Sequence, residues 1–132
     1  MTLGRIYSCA IGGLVTFLLA ACGSDDDGGG SSGVVGSKKL SALSSSEVAS
    51  VCDWAAAKYG GYGKQIMCGK DTNEVWANQA QCVTSFMSSF ADCANGTVSQ
   101  AEACVGKQAA APCDDTVRDG AECAALDTAC GG

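Results

Sequence analysis

Cys82-Val83-Thr84-Ser85-Phe86-Met87-Ser88-Ser89-Phe90-Ala91-Asp92-Cys93 carries the strongest periodicity in the chain. At about 100° per residue, Cys82, Phe86, Phe90 and Cys93 gather in one sector with Val75 upstream, flanked by Trp76, Val83 and Met87. Gln81, Thr84, Ser85, Ser88 and Asp92 fall opposite, a polar face with little charge. The pattern is that of an amphipathic α-helix with a cysteine at each end of its apolar stripe. Asp71-x-x-Glu74 is a capping pattern ahead of it and Asn95-Gly96 a stop behind it, so the spacing predicts one helix between them. Asn95-Gly96-Thr97 also has the form of an N-glycosylation acceptor, but a helix-ending turn accounts for it.

The flanking segments read as helices too. Ser44-x-x-Glu47 forms a capping box pattern, with Leu43 and Val48 placed to make the hydrophobic staple. Val48, Val51, Cys52, Ala55 and Tyr59 then follow one helical stripe until Gly60. Ser99-x-x-Glu102 is a further capping pattern, for a helix running through Cys104 to about Ala111 and stopped by Pro112. Cys123, Leu126 and Cys130 share a stripe in a last short helix before Gly131. Strand signals are scarce, and the predicted fold is all-α: a small disulfide-stapled bundle of three to four helices.

The cysteines explain how so small a bundle holds together. Eight of the ten lie in the C-terminal part, at Cys52, Cys68, Cys82, Cys93, Cys104, Cys113, Cys123 and Cys130. The intervals contain no C-x-x-C pair, and the chain has no histidine. That argues against zinc, thioredoxin-like redox chemistry and haem attachment, and leaves four disulfides as the reading. Beyond Phe90 large apolar side chains become sparse, so bridges worth about 2 to 4 kcal/mol each stand in for core. Residues seven apart on a straight helix are separated by roughly 10 Å, which excludes Cys123–Cys130 and, on a continuous second helix, Cys82–Cys93. Folding the second and third helices into an antiparallel hairpin about Asn95-Gly96 would pair Cys93 with Cys104 and Cys82 with Cys113. Cys52 and Cys68 would then take Cys123 and Cys130. Such rungs resemble those of twin C-x9-C helical hairpins, although the intervals here are x10 and x8.

The N-terminal part is of another kind. Met1 and Arg5 precede an uncharged, mostly apolar run from Ile6 to Ala21, the layout of an export signal. Its strongly apolar portion, from Ile11 and broken by Gly12, Gly13 and Thr16, falls short of the ~20 residues that span a bilayer. Leu19-Ala20-Ala21-Cys22 resembles the lipobox of bacterial lipoproteins. The resemblance implies cleavage after Ala21, lipid on the Cys22 sulfur and acylation of the new amino terminus, palmitate being one such chain, which together make a lasting anchor. Gly23 and Ser24 after the lipidated cysteine favour the outer over the inner membrane by the same resemblance. The chain thus divides into a signal peptide (1–21), a lipidated cysteine with a flexible Gly/Ser/Asp tether (22–39) and a disulfide-rich helical domain (40–132). As a whole it resembles small cysteine-rich envelope lipoproteins of unassigned function.

No motif in the domain points to catalysis, and no cofactor is implied. Asp25, Asp26 and Asp27 read as a solvated spacer. An EF-hand register aligned on Gly120 fails because Val117 and Leu126 occupy ligand positions, leaving no metal site. Serines with lysines, and paired carboxylates such as Asp114 and Asp115, lack a flanking signature. The formal net charge is -6, becoming -7 when Arg5 leaves with the signal, which disfavours nucleic acid and makes membrane association depend on Cys22. Trp54, Tyr59 and Tyr62, gathered about the glycine-rich stretch after the first helix, are the candidate binding surface. The function expected is a non-catalytic, membrane-anchored binding or structural module with a protein, glycan or small-molecule partner. A small envelope enzyme of hydrolase type, or a lipid-retained inhibitor, is the alternative.

Overall fold

The computed structural model describes residues 31–131. The expected signal peptide, Cys22 and the expected tether up to residue 30 lie outside the described residues. Within them the fold is a small helical, disulfide-rich one: α1 (Ser45–Lys58), a hairpin of β1 (Gln65–Cys68) and β2 (Asp71–Glu74), then α2 (Gln79–Phe90), α3 (Val98–Ala110) and α4 (Ala121–Cys130).

The helix starts follow local chemistry. At α1 the Ser44 hydroxyl accepts from the Glu47 amide, and the Glu47 carboxylate accepts from the Ser44 amide at 2.8 Å, which closes the capping box. Val48, Val51, Cys52 and Ala55 of the predicted stripe are buried and Tyr59 at its end is half-buried, while Leu43, the staple residue ahead of the helix, is buried too. The second helix departs from expectation. Asp71 to Glu74 does not cap it but forms β2, paired antiparallel with β1 from Gln65↔Glu74 to Cys68↔Asp71. Gly69, at φ +67, takes the first position of the two-residue turn, where its missing Cβ removes the left-handed penalty. Every residue of β2 is exposed, so no alternation marked it as a strand. Helix α2 starts instead where Asn78 Oδ1 accepts from the Gln81 amide at 3.0 Å. Helix α3 starts two residues earlier than the Ser99 pattern implied, with Thr97 and Gln100 forming the capping box.

Two helix pairs result, α1 against α2 and α3 against α4, joined by a smaller contact between α1 and α3. The bridges are Cys52–Cys82, Cys68–Cys113, Cys93–Cys130 and Cys104–Cys123, with Cα separations of 5.9, 5.2, 4.2 and 4.6 Å. Four bridges form from the eight cysteines, and neither pairing ruled out by helix rise occurs. The expected rungs are corrected: α2 packs on α1 rather than folding back on α3, so Cys82 meets Cys52 and Cys104 meets Cys123 across the two pair interfaces. Cys93 and Cys130 tie the C-terminal ends of the two pairs together, and Cys68–Cys113 fastens the hairpin to the loop after α3.

Beneath the Cys93–Cys130 bridge lies Gly96, which is buried. A Cβ there would overlap Cys93 Sγ and lie 3.0 Å from Cys130 Sγ and 3.1 Å from Leu40 Cδ1. The Gly96 carbonyl accepts from the Leu40 amide at 2.9 Å, so the backbone cannot retreat without losing that bond. Gly96→Ala should therefore destabilise the oxidised protein by about 1 to 3 kcal/mol, read as a lowered urea midpoint with all four bridges still mapped. The bridges also differ in access. Cys113 is exposed and Cys68 half-buried, whereas each of the other three bridges has at least one cysteine buried to 3% exposure or less. A limiting thiol reductant followed by alkylation and peptide mapping should label Cys68 and Cys113 first, with the helix signal in circular dichroism retained. Prior labelling of Cys52 or Cys104 would refute that order.

Candidate functional site

The stretch 31–39, assigned to the tether by its composition, is packed on the domain as a strap. Helix α3 begins with amides that lack intrahelical acceptors. Strap carbonyls supply two: the Val98 amide donates to Lys38 O at 3.0 Å and the Ser99 amide to Gly36 O at 2.9 Å. Glu102, expected in a helix cap, accepts instead from the Ser32 amide at 2.7 Å. Lys38 Nζ closes the strap onto α1, donating to both Glu47 oxygens at 2.6 and 2.7 Å.

The three aromatic residues singled out in the sequence are not brought to one surface. Trp54 is half-buried on the side of α1 that faces α3, with Lys58 Nζ 5.6 Å from its ring centroid. It lines a shallow groove of about 620 Å³ whose other side is built from Ser31, Glu102 and Lys107. Tyr59 points toward α3, its hydroxyl donating to Gln108 Oε1 at 3.2 Å. Burial raises the Tyr59 pKa, against the lowering effect of the Arg118 charge. Tyr62 lies elsewhere, packed against the core. Its hydroxyl donates to Asp53 Oδ1 at 2.9 Å, and Gln79 Nε2 donates to both Asp53 oxygens at 2.8 Å. Desolvation and the Asp53 carboxylate push the Tyr62 hydroxyl up to about 12. That arrangement fastens the loop after α1 to α1 and α2.

The larger concavity is a cleft of about 1,070 Å³ between the two helix pairs. Trp54 and Tyr59 reach it from α1, Trp76 from the segment after the hairpin, Phe86 and Phe90 from α2, and Leu126 from α4. Phe86 and Phe90 stack in a tilted pair, ring centroids 4.7 Å apart, and remain half-buried. Six of the eight bridge cysteines, Cys52, Cys68, Cys82, Cys104, Cys113 and Cys130, also line it. The bridges therefore frame the opening as well as the core. Asp71, Glu74, Asp114, Asp115 and Asp127 stand around the cleft with Arg118 as the one cation in its lining. Asp114 is held below the usual carboxylate range by hydrogen bonds from the Thr116 hydroxyl and amide, at 2.6 and 3.0 Å.

In the sequence Phe86 and Phe90 belong to the apolar stripe of the second helix and Trp76 to its flank, with nothing to mark them as walls of a cleft. The missed signal was a mismatch of size: the small residues of α3 and α4 cannot cover two phenylalanine rings on α2. Among the described residues no group of three or more His, Cys, Asp or Glu is placed to hold a metal ion. Comparison with protein-family models, characterised proteins and solved structures produced no match.

The strap gives a pH prediction. Lys38 and the Ser44 donors lower the Glu47 pKa from 4.5 to about 2. A lowered folded-state value means that Glu47 stabilises the fold fully above pH 4.5 and loses that contribution as pH falls through about 2. Hydrogen exchange at Val98 and Ser99 should accelerate, relative to intrinsic rates, across that window. Lys38→Met should diminish the change by removing the strap's ionic tie.

Proposed function

We propose that this protein is a lipid-anchored envelope protein whose stapled helical domain is a non-catalytic binding module. The observation that carries the binding reading is the aromatic-walled cleft between the two helix pairs, framed by six bridge cysteines. Concave, largely apolar sites with a few polar groups at the rim are where ligands are recognised. The covalent frame fixes the walls before any ligand arrives, so little ordering is needed on binding. Asp114, ionised and occupied as the cap of the Asp115–Val117 turn, serves structure rather than proton transfer.

The anchor rests on the Leu19-Ala20-Ala21-Cys22 stretch, by its likeness to a lipobox. A lipid on Cys22 would hold the domain at the membrane, with the outer membrane favoured by Gly23 and Ser24. Growth with labelled palmitate tests this part. The wild-type chain should be labelled and cut before Cys22, whereas Cys22→Ala should leave an unlabelled, uncut precursor. Labelling and normal cleavage of Cys22→Ala would reject the anchor.

A further inference from the structure

The geometry points to a cationic amphipathic peptide segment as the occupant of the cleft between the two helix pairs. This rests on the binding-module reading and narrows it to one ligand chemistry.

The argument begins with what the cleft presents. Its floor and sides offer the faces and edges of Tyr59, Trp76, Phe86 and Phe90, an apolar surface that α3 and α4 leave partly uncovered. An occupant must therefore bring an apolar face of its own. Around this surface stand five carboxylates, Asp71, Glu74, Asp114, Asp115 and Asp127, against the single guanidinium of Arg118. All five are exposed, and none belongs to either ion pair formed among the described residues, Lys38–Glu47 and Lys107–Glu122. Their field attracts positive charge and repels an acidic competitor. Lysine or arginine side chains serve both surfaces at once, since their stems pack on apolar walls and their heads interact with aromatic faces and carboxylates.

Size separates a peptide from a small organic cation. About 1,070 Å³ is at the upper end of, or beyond, the volumes that small molecules fill, roughly 300 to 1,000 Å³. The opening also runs between helix pairs, the setting in which an amphipathic helix lays its apolar face into a groove. Bridge cysteines lie at several points along its walls and fix them covalently, which suits an extended occupant more than a point ligand.

The test uses the oxidised protein and a short amphipathic helical peptide of leucine and lysine, followed by calorimetry and by the fluorescence of Trp54 and Trp76. One-to-one saturable binding is expected, weakening as salt rises. Asp115→Asn with Asp127→Asn, both on the exposed rim, should lower affinity about tenfold, while Asp92→Asn with Asp119→Asn, an equal charge change outside the cleft lining, should not. Phe86→Leu, which keeps apolar bulk but removes the ring face, should also weaken binding. Absence of binding overturns the proposal. So does equal binding of the glutamate analogue of the peptide, or equal loss in both aspartate pairs, which would reveal general charge attraction only. Tetrabutylammonium binding as tightly as the peptide would reassign the cleft to small cations. None of these results touches the palmitate labelling of Cys22, so failure of the peptide leaves the anchor reading separately tested.

Discussion

The Cys93–Cys130 bridge closes a structure that apolar burial alone would leave open. Helices α1 and α2 make one packed pair and α3 and α4 another, and their mutual contact is confined largely to α1 against α3. The free ends of α2 and α4 stand apart except where Cys93 reaches Cys130, with Cα atoms 4.2 Å apart. That approach is permitted because residue 96 beneath it has no side chain. Cys52–Cys82 and Cys104–Cys123 lock each pair internally, while Cys68–Cys113 ties the hairpin to the loop after α3, so the relative placement of the two halves depends on two covalent ties and on the glycine beneath one of them.

This division of labour has a functional consequence. A core built from three leucines with valine, alanine and cysteine is thin, and the buried set contains no aromatic residue. The large rings of Trp76, Phe86 and Phe90 are left at the margin, packed on the core from one side and open to the cleft on the other. In a domain stabilised by burial these rings would be the centre. Where disulfides carry the stability, they are released to form a surface. The strap has a parallel role: its glycines and serines contribute little burial, yet the Lys38 and Gly36 carbonyls accept from the Val98 and Ser99 amides at the start of α3, and the Lys38 side chain ties the strap to α1.

Much of the architecture was legible in local residues. The Ser44–Glu47 capping box, the α1 stripe from Val48 to Ala55 and the buried positions Cys123 and Leu126 follow from patterns within one or two turns, because capping and helical periodicity are set by neighbours. The even number of domain cysteines and the absence of histidine pointed to bridges. The hairpin was hidden because its second strand is exposed along its length and its Asp-x-x-Glu spacing imitates a helix cap. The strap was hidden because its contribution is made by backbone carbonyls, whose partners no side-chain composition announces.

What the sequence by itself determined is therefore the set of helices and the number of cysteines available for bridging. Which cysteine met which was decided only by tertiary structure, since pairing depends on how helices are laid against one another and not on their spacing along the chain. Trp54, Tyr59 and Tyr62 are neighbours in sequence, but α1 sends the first two toward α3 while Asp53 holds the third elsewhere. The cleft is a property of the same kind. It exists because the two helix pairs are joined at α1–α3, at Cys93–Cys130 and through the hairpin at Cys68–Cys113 and are not packed between, and a gap between elements leaves no periodicity in either one.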